Sequence, residues 1–400
     1  MLRRVFKAFH YREFRLLWFG ACTSSIGTWM QKVAQSWLVL EMSKSPFLLG
    51  LDAFLGEIPI FLFSLAGGVV ADRMDRRKLL IASQLVQMTC AFLLTGLILT
   101  DVVQVWHILT LSFVVGLAQA FGGPAYQALV PSLVEPEDLP NAIALNSIQF
   151  NLARVIGPVL GGLALSKLGF AWCFSLNGIS YIAVIVSLLL LKANYVPKRS
   201  GESMLVSLKQ GISFIRSQSA MVALIALAFF MTALAVPILT FLPVFAKDVF
   251  QGGASTFTRF LSVSGVGSVV GALVVAWLGN VKNKGRLSLL MLLGLGLAIS
   301  VFALSRSLAL SYVLLFVYGA VLVAVFAMIS SLVQLITSND MRGRVMSVYN
   351  VAFRGGMPIG SLATGYLVPI FSAPSVLAVN GLLLAVLGGY FLFRHKVSEL

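Results

Sequence analysis

The sequence predicts an all-α membrane protein with twelve transmembrane helices in two pseudo-symmetric six-helix bundles. Three observations lead to this fold class. Only 11% of the 400 residues are charged and 59% are hydrophobic, whereas a soluble domain carries about 25% charged residues. Apolar runs close to the roughly 20 residues that cross a bilayer recur along the chain. One long polar break divides the chain into halves of nearly equal length.

Residues 1–14 precede the first apolar run and are basic and aromatic. We expect them to form an amphipathic lead-in at the cytoplasmic membrane surface, held by arginines and by Phe6, Phe9 and Phe14. The apolar run behind them is long enough to span, and no small-residue cleavage site follows it. No cleavable signal peptide is therefore predicted.

Twelve spans follow from the apolar runs. They lie near 15–41, 47–70, 79–100, 105–130, 141–166, 170–191, 219–246, 257–279, 287–305, 308–337, 343–370 and 373–393. The expected domains are a bundle over 15–191, a cytoplasmic linker over 192–216, a second bundle over 217–393 and a cytoplasmic tail over 394–400.

The net charge of +15 is explained by the placement of the basic residues. Of the 29 lysines and arginines, 21 fall in the ends and loops of one side, five in the loops of the other, and three inside spans. Because basic residues are enriched in the cytoplasmic loops, this count places both termini on the cytoplasmic side of the membrane. We expect that membrane to be a bacterial plasma (inner) membrane. The charge thus indicates topology, and nucleic acid is not expected as a partner. We expect a monomer in the lipid bilayer.

An internal repeat supports the two bundles. At an offset of 200 residues, three residues of span five coincide with three of span eleven, namely Ser147, Arg154 and Pro158 with Ser347, Arg354 and Pro358. Two six-span halves joined by a polar linker are typical of transporters with parallel repeats.

The short loop "GGVVADRMDRRKLL" packs two acids and four bases between apolar runs. Gly67 and Gly68 predict a close helix approach at the end of span two. Asp72 can accept hydrogen bonds from Arg73, Arg76 or backbone donors. A turn with this many charged residues, placed between bundles that move, could serve as a conformational latch, that is, a set of contacts that must break when the bundles move.

This loop resembles the signature loop of the major facilitator superfamily, G-x-x-x-D-R-x-G-R-R. Gly68, Asp72, Arg73, Arg76 and Arg77 match it, and Asp75 stands where the pattern has glycine. "FRLLW", "SSIGTWM", "RVIGPVLGG" and "RGRVMSVYN" resemble one branch, which contains enterobactin exporters, macrolide efflux proteins and transmembrane secretion effectors. The resemblance covers the whole chain and implies the major facilitator fold.

The resemblance also implies roles for particular residues. In the superfamily the loop aspartate stabilises the outward-facing state by contact with the start of span eleven, which makes Asp72 the latch and places Arg342 and Arg344 near its partner surface. "GPVLGG" resembles the core of the helix-bend motif of drug–proton antiporters. That motif corresponds here to Gly157, Pro158, Gly161 and Gly162, with Ala144 and Ala153 in place of its earlier glycines.

Lys32 and Glu57 are the candidates for proton coupling. Each lies about twelve residues from the loop between spans one and two, so a rise of about 1.5 Å per residue places them at one depth near mid-membrane. Charged groups there are costly, which predicts that the two face the protein interior and neutralise each other. Two readings stay open: a proton-carrying pair, or a permanent structural pair. Glu57 could also pair with Arg354.

Arg154 and Arg354 could bind anionic substrate groups or donate hydrogen bonds to helix-terminal carbonyls. Further substrate-cavity candidates are Gln31, Gln35, Gln119 and Asn151, although a polar residue of this kind more often serves as a contact between helices. The spans hold three bases and, near their middle, one acid. This favours an anionic or zwitterionic amphipathic substrate.

The expected function is secondary active export of a hydrophobic or amphipathic small molecule, drug- or siderophore-like, by alternating access with proton antiport. No phosphate-binding loop occurs, so the proton gradient is the expected energy source and no cofactor is needed. The three cysteines and three histidines are scattered, so no metal site and no catalytic residues are predicted. An importer or facilitator remains the alternative. A membrane enzyme would need a cluster of polar residues at a membrane face, and a sensor would usually carry a soluble domain; the sequence shows neither feature.

Overall fold

The structure, a computed structural model, describes residues 6–192, 204–278, 283–338 and 340–393. The predicted tail over 394–400 and most of the first half of the linker lie outside these residues. In a bilayer core the backbone must satisfy its own hydrogen bonds, and helices do so within one segment.

The described residues of the first half form six long helices. They are α1 (Arg12–Ser43), α2 (Pro46–Arg73), α3 (Arg76–Leu99), α4 (Val105–Leu129), α5 (Leu139–Leu168) and α6 (Phe170–Leu190). Most of the connections are short. Between α5 and α6 a single residue, Gly169, makes the turn with φ +87°, a backbone conformation that glycine adopts readily.

The second half begins with an amphipathic helix that occupies the described part of the linker, α7 (Met204–Ser217). Seven helices follow. They are α8 (Ser219–Ala235), α9 (Pro237–Val244), α10 (Ala254–Leu278), α11 (Lys284–Leu304), α12 (Leu308–Leu335), α13 (Arg342–Phe371) and α14 (Ala373–Phe393).

All twelve predicted spans coincide with helical segments of the described chain. Ten of these segments are long and apolar enough to cross a membrane. The other two, α1 with 32 residues and α13 with 30, are also long enough but more polar. They carry two of the three mid-span bases, Lys32 and Arg354. The fold class predicted from the sequence is confirmed.

The seventh span is interrupted. A single helix was expected over 219–246, but α8 ends at Ala235, α9 starts at Pro237, and a π-helical turn follows at Phe245–Val249. Proline has no N–H to donate to the preceding turn, so the hydrogen-bond ladder is broken at Pro237. A π-helical turn is a second departure from α-helical geometry in the same span.

The chain divides into two compact units. The first contains Met1–Ser43 and Leu55–Gly201, and the second contains Lys44–Phe54 and Glu202–Leu400. Helix α2 therefore starts in the second unit and ends in the first.

Within the first unit, α1 packs against α5 and α6, and α3 packs against α4 and α6. Small residues also bring α2 close to α4. A side chain at Gly67 of α2 would meet the carbonyl of Ala120 on α4, and one at Gly116 of α4 would meet the carbonyl of Gly56 on α2.

Within the second unit the same pairings recur. Helix α8 packs against α13, and α11 packs against α12 and α14. Gly360 of α13 lies on the backbone of Ala233 in α8, as Gly161 of α5 lies on Met30 in α1. The first and fifth helices of each half thus meet through glycines.

The described part of the lead-in differs from the expected amphipathic segment. Lys7–His10 forms one 3₁₀ turn, and the amide of Ala8 donates to Asn141 Oδ1 at 2.9 Å. Phe14 was expected at the membrane surface, but it lies inside α1 and is only 1% exposed. The helix starts at Arg12, two residues before Phe14, so Phe14 turns into the core of the bundle rather than toward the surface.

Candidate functional site

Lys32 and Glu57 form an ion pair in the first unit. Lys32 Nζ lies 3.7 Å from Glu57 Oε1, and the two side chains are 53% and 29% exposed. The pair expected from equal helix depth is therefore present. Because 3.7 Å is too long for a hydrogen bond, the contact is purely ionic. Its role in proton coupling stays a prediction.

The indole of Trp29 brings two bases together. Lys32 Nζ lies 5.2 Å from the ring centroid, and the guanidinium carbon of Arg154 lies 5.8 Å from it, both within the range of a cation–π contact. The edge of Phe150 packs on the same indole with centroids 6.2 Å apart. Trp29 was not among the site residues predicted from the sequence. An aromatic residue three positions before Lys32 on one helix face was the signal that it would reach that side chain.

Gly157 explains how Trp29 fits between two helices. A side chain at Gly157 would collide with Cβ of Trp29 and would lie 2.9 Å from the carbonyl oxygen of Ile26. One turn later, a side chain at Gly161 would lie 3.0 Å from the carbonyl oxygen of Met30. Pro158 lies inside α5 without ending it, and Gly162 is half-buried. The predicted helix-bend segment thus lets α1 and α5 touch along their backbones.

The predicted cavity amides are largely bonded to other protein groups. Asn177 of α6 donates to Gln31 Oε1 at 2.6 Å, Gln31 contacts Gln35 at 3.4 Å, and Gln35 donates to Ser112 at 2.8 Å. This chain of amides joins α1, α4 and α6. Asn177 was not predicted, because a single asparagine within an apolar span carries no pattern of its own.

A second polar group lies deeper in the first unit. Gln119 donates to Gln87 Oε1 at 3.2 Å, and the hydroxyl of Tyr181 donates to the same oxygen at 3.3 Å. Gln87 and Tyr181 are 5% and 3% exposed, so these bonds satisfy two polar groups that are largely shielded from water. By contrast, Asn151 donates to Ser147 of its own helix at 2.8 Å.

The signature loop binds the ends of neighbouring helices. Arg76 donates to the carbonyl of Ala128 at 2.7 Å, and Arg77 donates to the carbonyl of Leu189 at 2.6 Å. These carbonyls lie in the last turns of α4 and α6, where cations are favourable. Arg76 also approaches Asp72 Oδ1 at 3.4 Å.

Asp75, the departure from the signature pattern, caps α3. Its carboxylate accepts from the amides of Arg77 at 2.9 Å and Lys78 at 3.3 Å. This is the usual role of aspartate at the start of a helix. Arg73 is exposed.

One glycine prediction in this loop is wrong. A side chain at Gly67 would strike α4, as expected, but a side chain at Gly68 would meet no heavy atom within 4 Å. The two residues are adjacent on one helix, so they face about 100° apart and only one of them can point at α4.

In the second unit, Arg342 and Arg344 begin α13. Arg342 is exposed, and Arg344 is half-buried, with its guanidinium 3.5 Å from the sulfur of Met341. Arg354 lies three turns further along α13 and is exposed. No group of three or more potential metal ligands occurs in the described residues.

The helical fold, the paired halves and the charged groups near mid-span define a polytopic membrane transporter of the major facilitator superfamily. Within it, the chain belongs to the transmembrane secretion effector family, whose model matches residues 4–400.

Among the relatives are enterobactin exporters. The exporter EntS of Shigella boydii serotype 4 is 28% identical over 379 residues, which cover 94% of this chain and 90% of the relative. EntS of Escherichia coli strain SMS-3-5 is 29% identical over 399 residues, which cover 97% and 94%. These names place the chain among bacterial multi-pass membrane proteins.

Solved structures share the fold. The nucleoside transporter NupG matches with a TM-score of 0.72 at 16% identity, covering 96% of this chain and 100% of NupG. A peptide transporter POT in complex with alafosfalin matches with a TM-score of 0.75 at 15% identity, covering 96% and 95%.

Proposed function

We propose that the protein exports a hydrophobic or amphipathic small molecule by alternating access, in exchange for protons. Its membership of the transmembrane secretion effector family and its named exporter relatives support export. The observation that carries the coupling is the ion pair of Lys32 and Glu57. Glu57 takes up the proton, and Lys32 is its counter-ion when the proton has left.

The geometry of the pair suits a group that must exchange partners. No hydrogen bond holds Lys32 to Glu57 at 3.7 Å, so little has to be broken when a proton arrives. Lys32 also has a second contact on the indole of Trp29, which can hold the ammonium after Glu57 is neutralised. With side chains that are 53% and 29% exposed, neither charge is fully desolvated, so a purely structural pair would contribute little to stability.

Exchange of the substrate for a proton restricts the charge that the substrate can carry near Glu57. For exchange, the substrate must compete with the proton, and a positively charged or hydrogen-bond-donating group near Glu57 does so. An anion alone would favour protonation of Glu57 instead. The mid-span bases Arg154 and Arg354 favour a negative group in the same substrate. We therefore propose an amphipathic zwitterion, with its basic end at Glu57 and its acidic end at Arg154.

We further propose that both termini and the signature loop lie on the cytoplasmic side of the bacterial inner membrane. The distribution of 21 basic residues on that side and five on the other supports this orientation. Moving one elementary charge through 100 mV yields about 2.3 kcal/mol, which is enough for tens-fold accumulation. Within the first unit, the proposed conformational latch is Asp72 with Arg73, Arg76 and Arg77.

A growth and secretion panel tests this proposal. Cells that express the wild type, Glu57→Gln or Glu41→Gln are compared for resistance to amphipathic toxins and for siderophore secretion. Glu41 is an exposed acid on α1 and serves as the matched control. We expect Glu57→Gln alone to lose resistance or secretion at equal expression. Equal export by all three would refute the role of Glu57, and no phenotype for the wild type on any compound would refute export.

A further inference from the structure

An apolar groove lies in the second unit between α7, α8 and α13. Its volume is about 380 Å³, and its walls include Ile212 of α7, Val222 and Phe229 of α8 and Val348 of α13. Among the described residues that line it, Arg216 is the charged one. Ile212 and Val222 are 41% and 44% exposed, so the groove is open to its surroundings.

Helix α7 is fixed in place by a glycine contact. A side chain at Gly211 would lie 2.8 Å from the carbonyl oxygen of Arg344 and 3.3 Å from the side chain of Val348. The backbone of α7 therefore rests directly on the first turns of α13. This contact forms one wall of the groove and holds Arg216 beside it.

The exposed side of α7 is polar and basic. Lys209, Ser213 and Arg216 are exposed, whereas Gly211 and Ile215 are buried. An amphipathic helix with bases on its polar side lies in the interface between headgroups and acyl chains. The groove thus combines an apolar interior with a cation at the level of the lipid headgroups.

We propose that this groove binds one acyl chain of an anionic phospholipid, whose phosphate pairs with Arg216. Basic pockets between transmembrane helices are typical sites for anionic headgroups, and the planar guanidinium matches a phosphate with two parallel hydrogen bonds. A volume of 380 Å³ lies at the lower end of the roughly 300–1,000 Å³ of ligand pockets, so one chain enters and the second stays in the bilayer. The bound lipid ties α7 to the first and fifth helices of the second unit.

Native mass spectrometry of the purified protein, released from nanodiscs of phosphatidylcholine with or without phosphatidylglycerol, tests the site. The variants are Arg216→Gln, Arg216→Lys and Val222→Trp, which fills the groove. The controls are Lys209→Gln, an exposed base outside the lining, and Val274→Trp, at a residue of α10 that is 43% exposed and outside the groove. Helix content and thermal stability of each variant are measured in parallel.

We expect Arg216→Gln to lower retained phosphatidylglycerol about fivefold, the effect of one basic side chain at an anionic surface. Arg216→Lys keeps the charge but loses the bidentate contact, so its retention should fall between those of the wild type and Arg216→Gln. Val222→Trp should remove the binding, and both controls should match the wild type. If Lys209→Gln and Arg216→Gln lost the same amount of retained phosphatidylglycerol, the lipid would be held by the overall positive charge of the surface, and the proposed site would be overturned. Equal retention of phosphatidylcholine, competition by inorganic phosphate alone, or a dimer mass in place of bound lipid would also overturn it. Because the binding needs no gradient, the result is independent of proton exchange.

Discussion

The adjacent glycines of the signature loop give a sharp test of the packing between α2 and α4. In Gly67→Ala the new methyl group would meet the carbonyl oxygen of Ala120, with the carbonyl carbon of Ala120 at 3.0 Å and Cα of Phe121 at 3.1 Å. All three are backbone atoms, so no side-chain rotation can relieve the contact and α4 has to shift. Overpacking of this kind costs about 1–3 kcal/mol.

Gly68→Ala is the matched control, because its methyl group meets no atom within 4 Å. Replacing a glycine inside a helix by alanine then stabilises by about 0.5–1 kcal/mol. The two neighbours should therefore differ by about 1.5–4 kcal/mol with opposite signs. Reversible unfolding in mixed micelles, followed by circular dichroism, measures the difference. Equal destabilisation by both substitutions, or a more damaging Gly68→Ala, would refute the packing described for this loop.

Three further predictions concern the first unit. Asp75→Ala should cost about 1 kcal/mol in unfolding free energy through loss of the cap of α3, whereas Asp75→Gly should cost only a few tenths; equal effects would contradict the capping role. Lys7 lies 2.7 Å from Asp138, and this contact holds the pKa of Asp138 below its ordinary 3.8. The contact should therefore stabilise the 3₁₀ turn above pH 3.8 and be lost as the pH falls through the lowered value. The protection of the Phe9 amide, measured as its hydrogen-exchange rate relative to an unstructured amide at the same pH, should fall only below that pH. In Asp138→Asn the protection should be low at every pH. A loss of protection that starts above pH 3.8 would contradict this. Trp29→Leu should weaken substrate binding several-fold by removing the ring shared by Lys32 and Arg154, measured by equilibrium binding with Trp37→Leu as control; equal affinities would argue that the indole only packs.

The helix positions and the pairing of Lys32 with Glu57 could be predicted because each follows from counting residues along the chain. The length of apolar runs locates spans, and equal distance from a short loop places Lys32 and Glu57 at one depth. Neither prediction required knowledge of how the helices pack. The seventh span shows the limit, since its apolar run continues through Pro237 although the helix does not.

Contacts that depend on rotation about a helix axis could not be predicted. Gly67 and Gly68 look alike in sequence, and only the direction of each relative to α4 separates them. The same holds for Phe14, which turns into the core, and for Asn177 and Tyr181, whose partners come from distant parts of the chain. Trp29 became a site residue only because Arg154, 125 positions later, packs on the same ring.

The most direct test of proton exchange compares two modes of transport in proteoliposomes, using a substrate identified by the growth panel. Counterflow needs only alternating access, whereas efflux driven by an imposed pH gradient also needs the proton carrier. If Glu57 carries the proton, Glu57→Gln should keep counterflow and lose pH-driven efflux, while Glu41→Gln should keep both. Full pH-driven efflux by Glu57→Gln would contradict the central claim.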